Sequence, residues 1–554
     1  MQDYSLYAGC WVALDEDGSV AGVGATPEEA GRAGRLARPK ARLQLARITP
    51  QAPYLALPQW PLALLRPFSA DRRVWLVGGA VRDLLLGRPP HDWDFAVERD
   101  AVGLARRVAN ALGGAYVLLD AERDTARAIL EDPLSRTPVT LDFASLREET
   151  LERDLFARDF TLNAMALTPE GELLDPTGGQ RDLAARCVRV TTPASFTQDP
   201  ARLLRAVRTA AELGFHIEPQ TLALLRRHVP AIETVAAERI RPELLRILQT
   251  EPATTTLRQL EQLGLLARVL PEIAALRQVS QSAPHHYANV LDHSYAVISA
   301  TEALQAHLRG REPLPTQTRE VAAPSWAWTS LQAALLPHQT ALLAYLVEPV
   351  THEATRADLL RWGALFHDAG KASARTVDAQ GVTHFYGHNA QSETLVQERF
   401  TALRFAARAQ HFVGTLVNAH MRLTTLSDAP EVTRRAVYRF FRDTGDVGVA
   451  VVLLSLADIL AVFGPRLERE YWQRVLRSAG ALLAGAFTRS ETVIAPPRLL
   501  NGHDLQALGI PPGPALGALL EQLREAQAAG EIQTREEAEA FVRAAREATA
   551  TTGA

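Results

Sequence analysis

Val74-Trp75-Leu76-Val77-Gly78-Gly79-Ala80-Val81-Arg82-Asp83, followed by Asp92-Trp93-Asp94-Phe95-Ala96-Val97, decides how this 554-residue chain reads. Residues 74–77 are a short apolar run suited to a buried strand. Gly78 and Gly79 then let the backbone approach a ligand closely, and a helix is expected near Val81. Such a turn offers backbone N–H groups to a phosphate chain. From Asp92 a second strand is expected. Alternate residues of a strand share a face, so Asp92 and Asp94 point one way, and Trp93 and Phe95 the other. Two carboxylates on one face suit hard divalent ions, Mg²⁺ being the expected one. Such ions activate an attacking hydroxyl and steady a triphosphate with its leaving group. A lone Gly-Gly or Asp-x-Asp reads as an ordinary turn or as surface aspartates. Both together, at this spacing after a strand, imply nucleotidyl transfer.

Further candidates lie downstream. Asp142, in the alternating Val139-Thr140-Leu141-Asp142-Phe143, reads as a third carboxylate from a neighbouring strand or as a solvent-facing Asp. Asp199 and Arg202 are three apart, so in a helix they share a face. They would present an acceptor beside a fork of donors, which matches the amino group and ring acceptors of cytosine. Adenine also has an amino donor beside a ring acceptor; uracil reverses the pattern and would be rejected. The bland reading is a surface ion pair of little worth. Arg205 and Arg208 continue the basic face, to hold a triphosphate or to stand in solvent.

A second constellation is His293, His367-Asp368 and Asp458, with His388 and His420 spaced as additional ligands or phosphate contacts. Imidazole and carboxylate ligands suit Mn²⁺, Ni²⁺, Co²⁺ or Fe²⁺, with Mg²⁺ a further candidate. A single buried His is more often a core residue; the order H…HD…D resembles the HD metal-dependent phosphohydrolases.

The residues 78–97 resemble the signature of class II nucleotidyltransferases, the tRNA CCA-adding enzymes and bacterial poly(A) polymerases. Arg158-Asp159-Phe160-Thr161-Leu162-Asn163-Ala164-Met165-Ala166 resembles the family's RRDFTxNAMA, with Ala157 in place of the first Arg. Asp175-Pro176-Thr177-Gly178-Gly179 matches DPxGG, Gln198-Asp199-Pro200-Ala201-Arg202 stands at EDxxR with Gln for Glu, and Glu238-Arg239-Ile240 opens ERIxxEL. The resemblance covers residues 74 to about 250. It implies that Arg158, Asp159 and Asn163 surround the nucleotide sugar and phosphates, together with Gly78, Gly79 and Arg82 in the signature itself. Asp159 also reads as a helix N-cap. The resemblance further implies that Asp199 and Arg202 act as an amino-acid template for the incoming base. HD domains accompany some bacterial members.

One departure bears on the product. Full CCA-adding members carry an extended polar segment after the third head strand. Here Arg147-Glu148-Glu149-Thr150 passes directly into Leu151-Glu152-Arg153-Asp154-Leu155. Switching from C to A requires the template to reposition, and a flexible loop serves as the lever. Its loss resembles the CC-adding subgroup, so CTP is the expected donor, with ATP added if addition runs to CCA. The alternatives are full CCA addition, poly(A) polymerisation, or an RNA-binding protein acting mainly through its HD site.

The length implies several cores. The resulting expectation is an α+β chain: a small α/β extension over 1–50, a mixed-sheet head over 55–190, then a helical neck over 191–278, an HD domain over 279–490 and a helical tail over 491–554. In the extension, a hairpin around Asp15-Glu16-Asp17-Gly18 precedes a helix capped by Thr26, then a third strand near Gln44; it resembles a small domain of unknown function. A proline-bearing stretch over 313–324 reads as a loop. Net charge is −4, so tRNA contacts must come from a local basic face, expected on neck and tail helices. Cys10 and Cys187 supply neither a disulfide framework nor a zinc set. The start MQDYSLYAGC lacks signal-peptide character and no run reads as a membrane span, so a cytoplasmic enzyme is expected. Oligomeric state is left open.

Overall fold

Alternating apolar positions near the N-terminus build a three-stranded antiparallel sheet: β1 (Trp11–Leu14), β2 (Val20–Gly24) and β3 (Gln44–Arg47), in the order β2-β1-β3. The helix Pro27–Ala37 starts with a capping box, in which the Thr26 hydroxyl accepts from the Glu29 N–H and the Glu29 carboxylate accepts from the Thr26 N–H. Gly22 and Gly34 let helix and strand touch: a Cβ on Gly22 would stand 2.1 Å from the Gly34 nitrogen. The computed structural model describes residues 11–15, 19–24, 26–39, 41–47, 65–68, 71–90, 92–131, 136–281, 286–310, 321–380 and 382–552. Part of the expected hairpin turn and most of 313–324 lie outside them. The chain forms two compact units, Met1–Ala231 and Ile232–Ala554.

In the first unit the head is a seven-stranded sheet. Its strands are β4 (Val74–Val77), β5 (Trp93–Val97), β6 (Ala115–Asp120), β7 (Thr125–Glu131), β8 (Pro138–Ser145), β9 (Ala166–Leu167) and β10 (Leu173–Leu174). Their order is β10-β9-β4-β5-β8-β7-β6, and only β5 and β8 pair in parallel. Helix Ala101–Leu112, with Leu104, Ala105 and Val108 buried, packs on β6, β7 and β8. Phe95 and Phe143, adjacent in the parallel register, stack at 5.2 Å. The neighbouring residues Asp94 and Asp142 are also in register, and strand alternation turns them to the opposite face. That face carries a small core of Trp75, Val77 and Ala96 under Leu155, Ala164 and Ala166. The same alternation that buries the aromatic pair thus brings the two aspartates together.

Two local expectations differ. The first helix starts at Gly79, two residues early, with Gly78 at φ +74°. Asp199 and Arg202 do not share a helix. Helix Ser195–Gln198 ends, Asp199 is extended at φ −148° and ψ 94°, and a new helix runs over Arg202–Leu213. Pro200 explains the break, since the residue before a proline is driven out of the helical region.

Among its described residues, the second unit has helices and one short hairpin, Thr376–Val377 with Thr383–His384. Helices Val290–Leu308, Arg356–Phe366, His388–Ala402, Ala407–Ala419 and Gly448–Phe463 form its centre. Within Arg434–Arg466 an 18-residue window is long and apolar enough to cross a membrane, contrary to the sequence expectation. The window is 89% buried within the protein, as a core helix is. At the C-terminal end, Gly502–Ala507, Pro514–Ala529 and Arg535–Thr552 close around Leu505, Leu519, Leu523 and Val542. With strands confined almost entirely to the first unit and helices filling the second, the architecture is α+β, as the sequence implies.

Candidate active sites

A cleft of about 370 Å³ opens over the central β5–β8 pair of the head, lined by Asp94, Asp142, Arg147, Arg158, Arg202 and Arg205 among others. Asp94 is partly buried. Burial first, then the negative charges of Asp142 and Asp92, push its carboxyl up to about 6, against the opposing pull of Arg158 and Arg127. Asp92 stands one residue before β5, exposed, and makes no hydrogen bond or ion pair among the described residues. Asp142 is held by Arg127 through two hydrogen bonds of 2.7 and 2.9 Å. The carboxylates therefore leave excess negative charge beside the cleft, which fits a divalent cation in donor type and charge.

Gly78 matters sterically. A Cβ there would stand 3.4 Å from both Arg158 Nη1 and Asp94 Oδ2. Behind the turn a polar chain fixes the wall. Arg82 donates to Asp83 at 2.8 and 3.0 Å and to Asn163 Oδ1 at 2.8 Å. Asn163 donates to Asp159 Oδ1 at 3.1 Å, and Arg205 reaches Asp159 Oδ2 at 3.4 Å. Asp159 does not cap a helix through its side chain in the N-cap sense; Phe160 holds that position before Thr161–Asn163. Arg158 pairs with Asp154 at 3.4 Å.

Arg202 retains an ion pair to Asp199, 3.7 Å between Nε and Oδ2, despite the helix break. Its remaining donors reach Ala157 O at 2.8 Å, Ser195 Oγ at 3.0 Å and Arg158 O at 3.3 Å. It is thus pinned to the chain that carries Arg158. Arg208 is buried, pairs with Glu212 at 2.7 Å and is not among the residues lining the cleft. Arg127 was not singled out from sequence. Its signal was its place in the alternating Thr125-Ala126-Arg127-Ala128, but cross-strand register with Asp142 is a tertiary fact.

The second unit brings six dispersed side chains together. His293 Nε2 lies 3.0 Å from Asp458 Oδ1, 3.2 Å from His367 Nε2 and 3.5 Å from Asp368 Oδ2. Asp368 Oδ1 lies 3.3 Å from His388 Nε2 and 3.9 Å from His420 Nε2. Two ligand sets result, His293/His367/Asp458 and Asp368/His388/His420. Backbone carbonyls of Ala364, Phe385 and Val417 sit 2.9, 2.8 and 2.6 Å from the Nδ1 atoms of His367, His388 and His420. Donation to those carbonyls fixes the tautomer and leaves Nε2 as the ligand atom, the usual support of a metal-binding imidazole. Burial, then the nearby His367, lowers His420 to about 4, so it is neutral at pH 7. Burial likewise lowers His293, while His367 is raised by Asp368 despite its burial. Asp368 and Asp458 are held below the ordinary carboxylate range by the surrounding cations and hydrogen bonds, against burial. The set fits a divalent metal. Lys371, to which the sequence reading gives no role, places Nζ 2.6 Å from Asp368 Oδ2; its signal is its place three residues after Asp368. Ser392 ties the turn by donating to His367 O and accepting from Gly370 N.

Residues 74–189 match the Poly A polymerase head domain, 214–276 the probable RNA and SrmB-binding site of polymerase A, and 290–462 the HD domain. The chain is 34% identical to an A-adding tRNA nucleotidyltransferase of Deinococcus radiodurans, across 84% of this chain and 94% of that one. It is 33% identical to a CC-adding tRNA nucleotidyltransferase of Thermus thermophilus, across 86% and 94%. The chain belongs to the tRNA nucleotidyltransferase/poly(A) polymerase family. A solved CCA-adding enzyme in its apo form shares the fold, with a TM-score of 0.54 at 20% identity over 87% of this chain and 93% of that one. In this nucleotidyltransferase the head match contains the glycine turn and all three aspartates, and the HD match contains all six clustered side chains. Asp199 and Arg202 fall between the first two matched segments. Near-equal identity to an A-adding and a CC-adding enzyme means that overall similarity does not choose the product.

Proposed function

We propose that the enzyme adds two CMP residues, CC, from CTP to the 3′ end of tRNA. The observation that carries the choice of product is the connection after β8. Only residues 146–150 separate Ser145 from helix Leu151–Phe156. That connection is tied down: Arg147 N donates to Asp154 Oδ1 at 3.1 Å, and Thr150 caps the helix by accepting from Arg153 N at 3.3 Å. A pinned five-residue link has no slack with which to move a template, so the base pocket keeps one geometry.

In this reading Asp92 and Asp94 hold the metal, with Asp142, clamped by Arg127, setting the charge beside them. Divalent ions bound there, Mg²⁺ being the expected species, would offset triphosphate charge and favour ionisation of the attacking 3′ hydroxyl. The turn at Gly78 and Gly79, with Arg82, Arg158, Asp159, Asn163 and Arg205, positions the sugar and phosphates. Arg208, buried against Glu212, supports the helix rather than the triphosphate. Asp199 accepts the cytosine amino group while Arg202 donates to the ring. The neck over 191–278 carries this template, and the HD domain and tail, over 279–490 and 491–554, serve RNA. Asp92→Ala and Asp94→Ala should each abolish incorporation of labelled CMP while tRNA binding persists; near-normal incorporation by both would overturn the assignment.

The six-residue cluster favours a second activity, hydrolysis of a phosphoester. A cyclic or terminal phosphate at an RNA 3′ end blocks nucleotide addition, so removing it would prepare the substrate of the head. The metal is Mn²⁺, Ni²⁺, Co²⁺, Fe²⁺ or Mg²⁺. Assays with 2′,3′-cyclic and terminal phosphates across these metals should show activity that Asp368→Ala removes. Activity surviving in that variant, or none with any metal, would leave the domain as a scaffold.

A further inference from the structure

The second unit carries a surface groove of about 250 Å³, lined by none of the HD ligands, between helix Arg434–Thr444, helix Arg469–Phe487 and the turn Ser490–Ile494. Four exposed arginines line it, Arg434, Arg474, Arg477 and Arg489, against the single acid Glu431. None of the four makes an ion pair among the described residues; Arg434 donates only a 3.4 Å hydrogen bond to Thr492 O, and Arg474 leans over the Tyr471 ring. Their neighbours behave differently. Arg435 is matched by Glu525 and Glu531, Arg439 by Glu525, and Arg442 by Asp443 and Glu521. In the tail, Arg535 and Arg543 are likewise matched by Asp504 and Glu539. The basic face expected on the tail helices is therefore neutralised at those positions, and the uncompensated charge collects in the groove.

We propose that this groove binds the phosphodiester backbone of a double-stranded arm of the RNA substrate. Arg474 and Arg477 are three apart on one helix and so present a pair of guanidinium forks along one face. Such forks match phosphate oxygens in shape as well as charge. Clustered like charges repel, and a polyanion relieves that cost. The floor consists of Val437, Val493, Ala481 and Ala484, with no aromatic ring on which a free base would stack. This suits sugar and phosphate, the parts by which a protein reads an A-form helix. The proposal rests on the reading of the chain as an enzyme that acts on tRNA.

The test is the salt dependence of binding. Fluorescence anisotropy with labelled tRNA lacking CCA is measured for the full-length protein from about 50 to 200 mM salt. Arg474→Gln/Arg477→Gln should weaken binding severalfold to tenfold at low salt. It should also lower the slope of log affinity against log salt by about 1.4–1.8, at roughly 0.7–0.9 per lost phosphate contact. The KM for CTP should not change, and Arg474→Lys/Arg477→Lys should restore most of the slope. Arg435→Gln/Arg439→Gln, whose charges are already matched, should leave the slope alone. An unchanged slope in the Arg474/Arg477 variant, or an equal fall in the control, overturns the groove while leaving nucleotide addition standing. Wild-type protein that neither binds nor extends tRNA would overturn both. Inorganic phosphate that saturates the groove while the tRNA slope is unaltered would assign it to a free anion and also overturn the proposal.

Discussion

Asp94→Asn should destroy activity and at the same time stabilise the metal-free protein. The reason is the position of Asp94, partly buried and beside the charges of Asp142 and Asp92, where its carboxyl is pushed up from 3.8 to about 6. A raised folded-state value means that proton binding stabilises the fold. That contribution is fully present below about 3.8 and is lost as pH rises through about 6. Above that, the ionised wild type bears the strain. About two units at 1.36 kcal/mol each give an upper bound of about 3 kcal/mol, and relaxation and entering water reduce this to roughly 1–2 kcal/mol. For a unit of this size, each kcal/mol shifts the midpoint by roughly 2–4 °C. Thermal unfolding in EDTA at pH 7.5 should therefore show Asp94→Asn melting several degrees above wild type in the transition that contains the head. The gap should close as pH falls from 6 towards 4, and added Mg²⁺ should raise wild type but not the variant. A variant that melts at or below wild type in EDTA at pH 7.5 would refute the idea that the site holds uncompensated negative charge.

Gly78→Ala forces a side chain onto a backbone at φ +74° and into contact with Arg158 and Asp94; a cost of about 1–3 kcal/mol and a lower kcat are expected, read by melting and steady-state rates. Arg202→Lys keeps the charge but loses the fork that reaches Ala157 O and Ser195 Oγ. Its KM for CTP should rise about tenfold or more and UMP misincorporation should increase, and competition assays with CTP and UTP will show whether it does. Asp368→Ala should lower metal content of the purified protein, measured by elemental analysis, and leave CMP addition to intact tRNA within about twofold.

The glycine turn was legible because it is local: two glycines after an apolar run mark a tight turn. A strand's period turns Asp94 to one face of β5, but Asp92 stands before that strand's first residue, so the period does not fix its direction. Asp142 was legible as a strand residue, but its clamp by Arg127 depends on the β7–β8 register, which no local pattern specifies. The break at Asp199-Pro200 follows from the proline, a local signal that i,i+3 spacing alone does not take into account. Arg208 shows the limit of counting charges along a helix, since its phase against the core turns it inward to Glu212. The apolar helix Gly448–Phe463 also carries Asp458, and burial on all sides is what makes it look like a membrane span. His388 and His420 were legible as additional ligands, but their grouping with Asp368, apart from His293, His367 and Asp458, depends on the packing of helices His388–Ala402 and Ala407–Ala419, which no local pattern specifies.

The most direct measurement supplies purified enzyme and tRNA ending at its discriminator base with CTP alone, ATP alone, and both, and resolves the products at single-nucleotide resolution. The account predicts extension by two residues with CTP, none with ATP alone, and the same two-residue product with both nucleotides. Efficient addition of A to tRNA already ending in CC, or no extension by CTP, would contradict it.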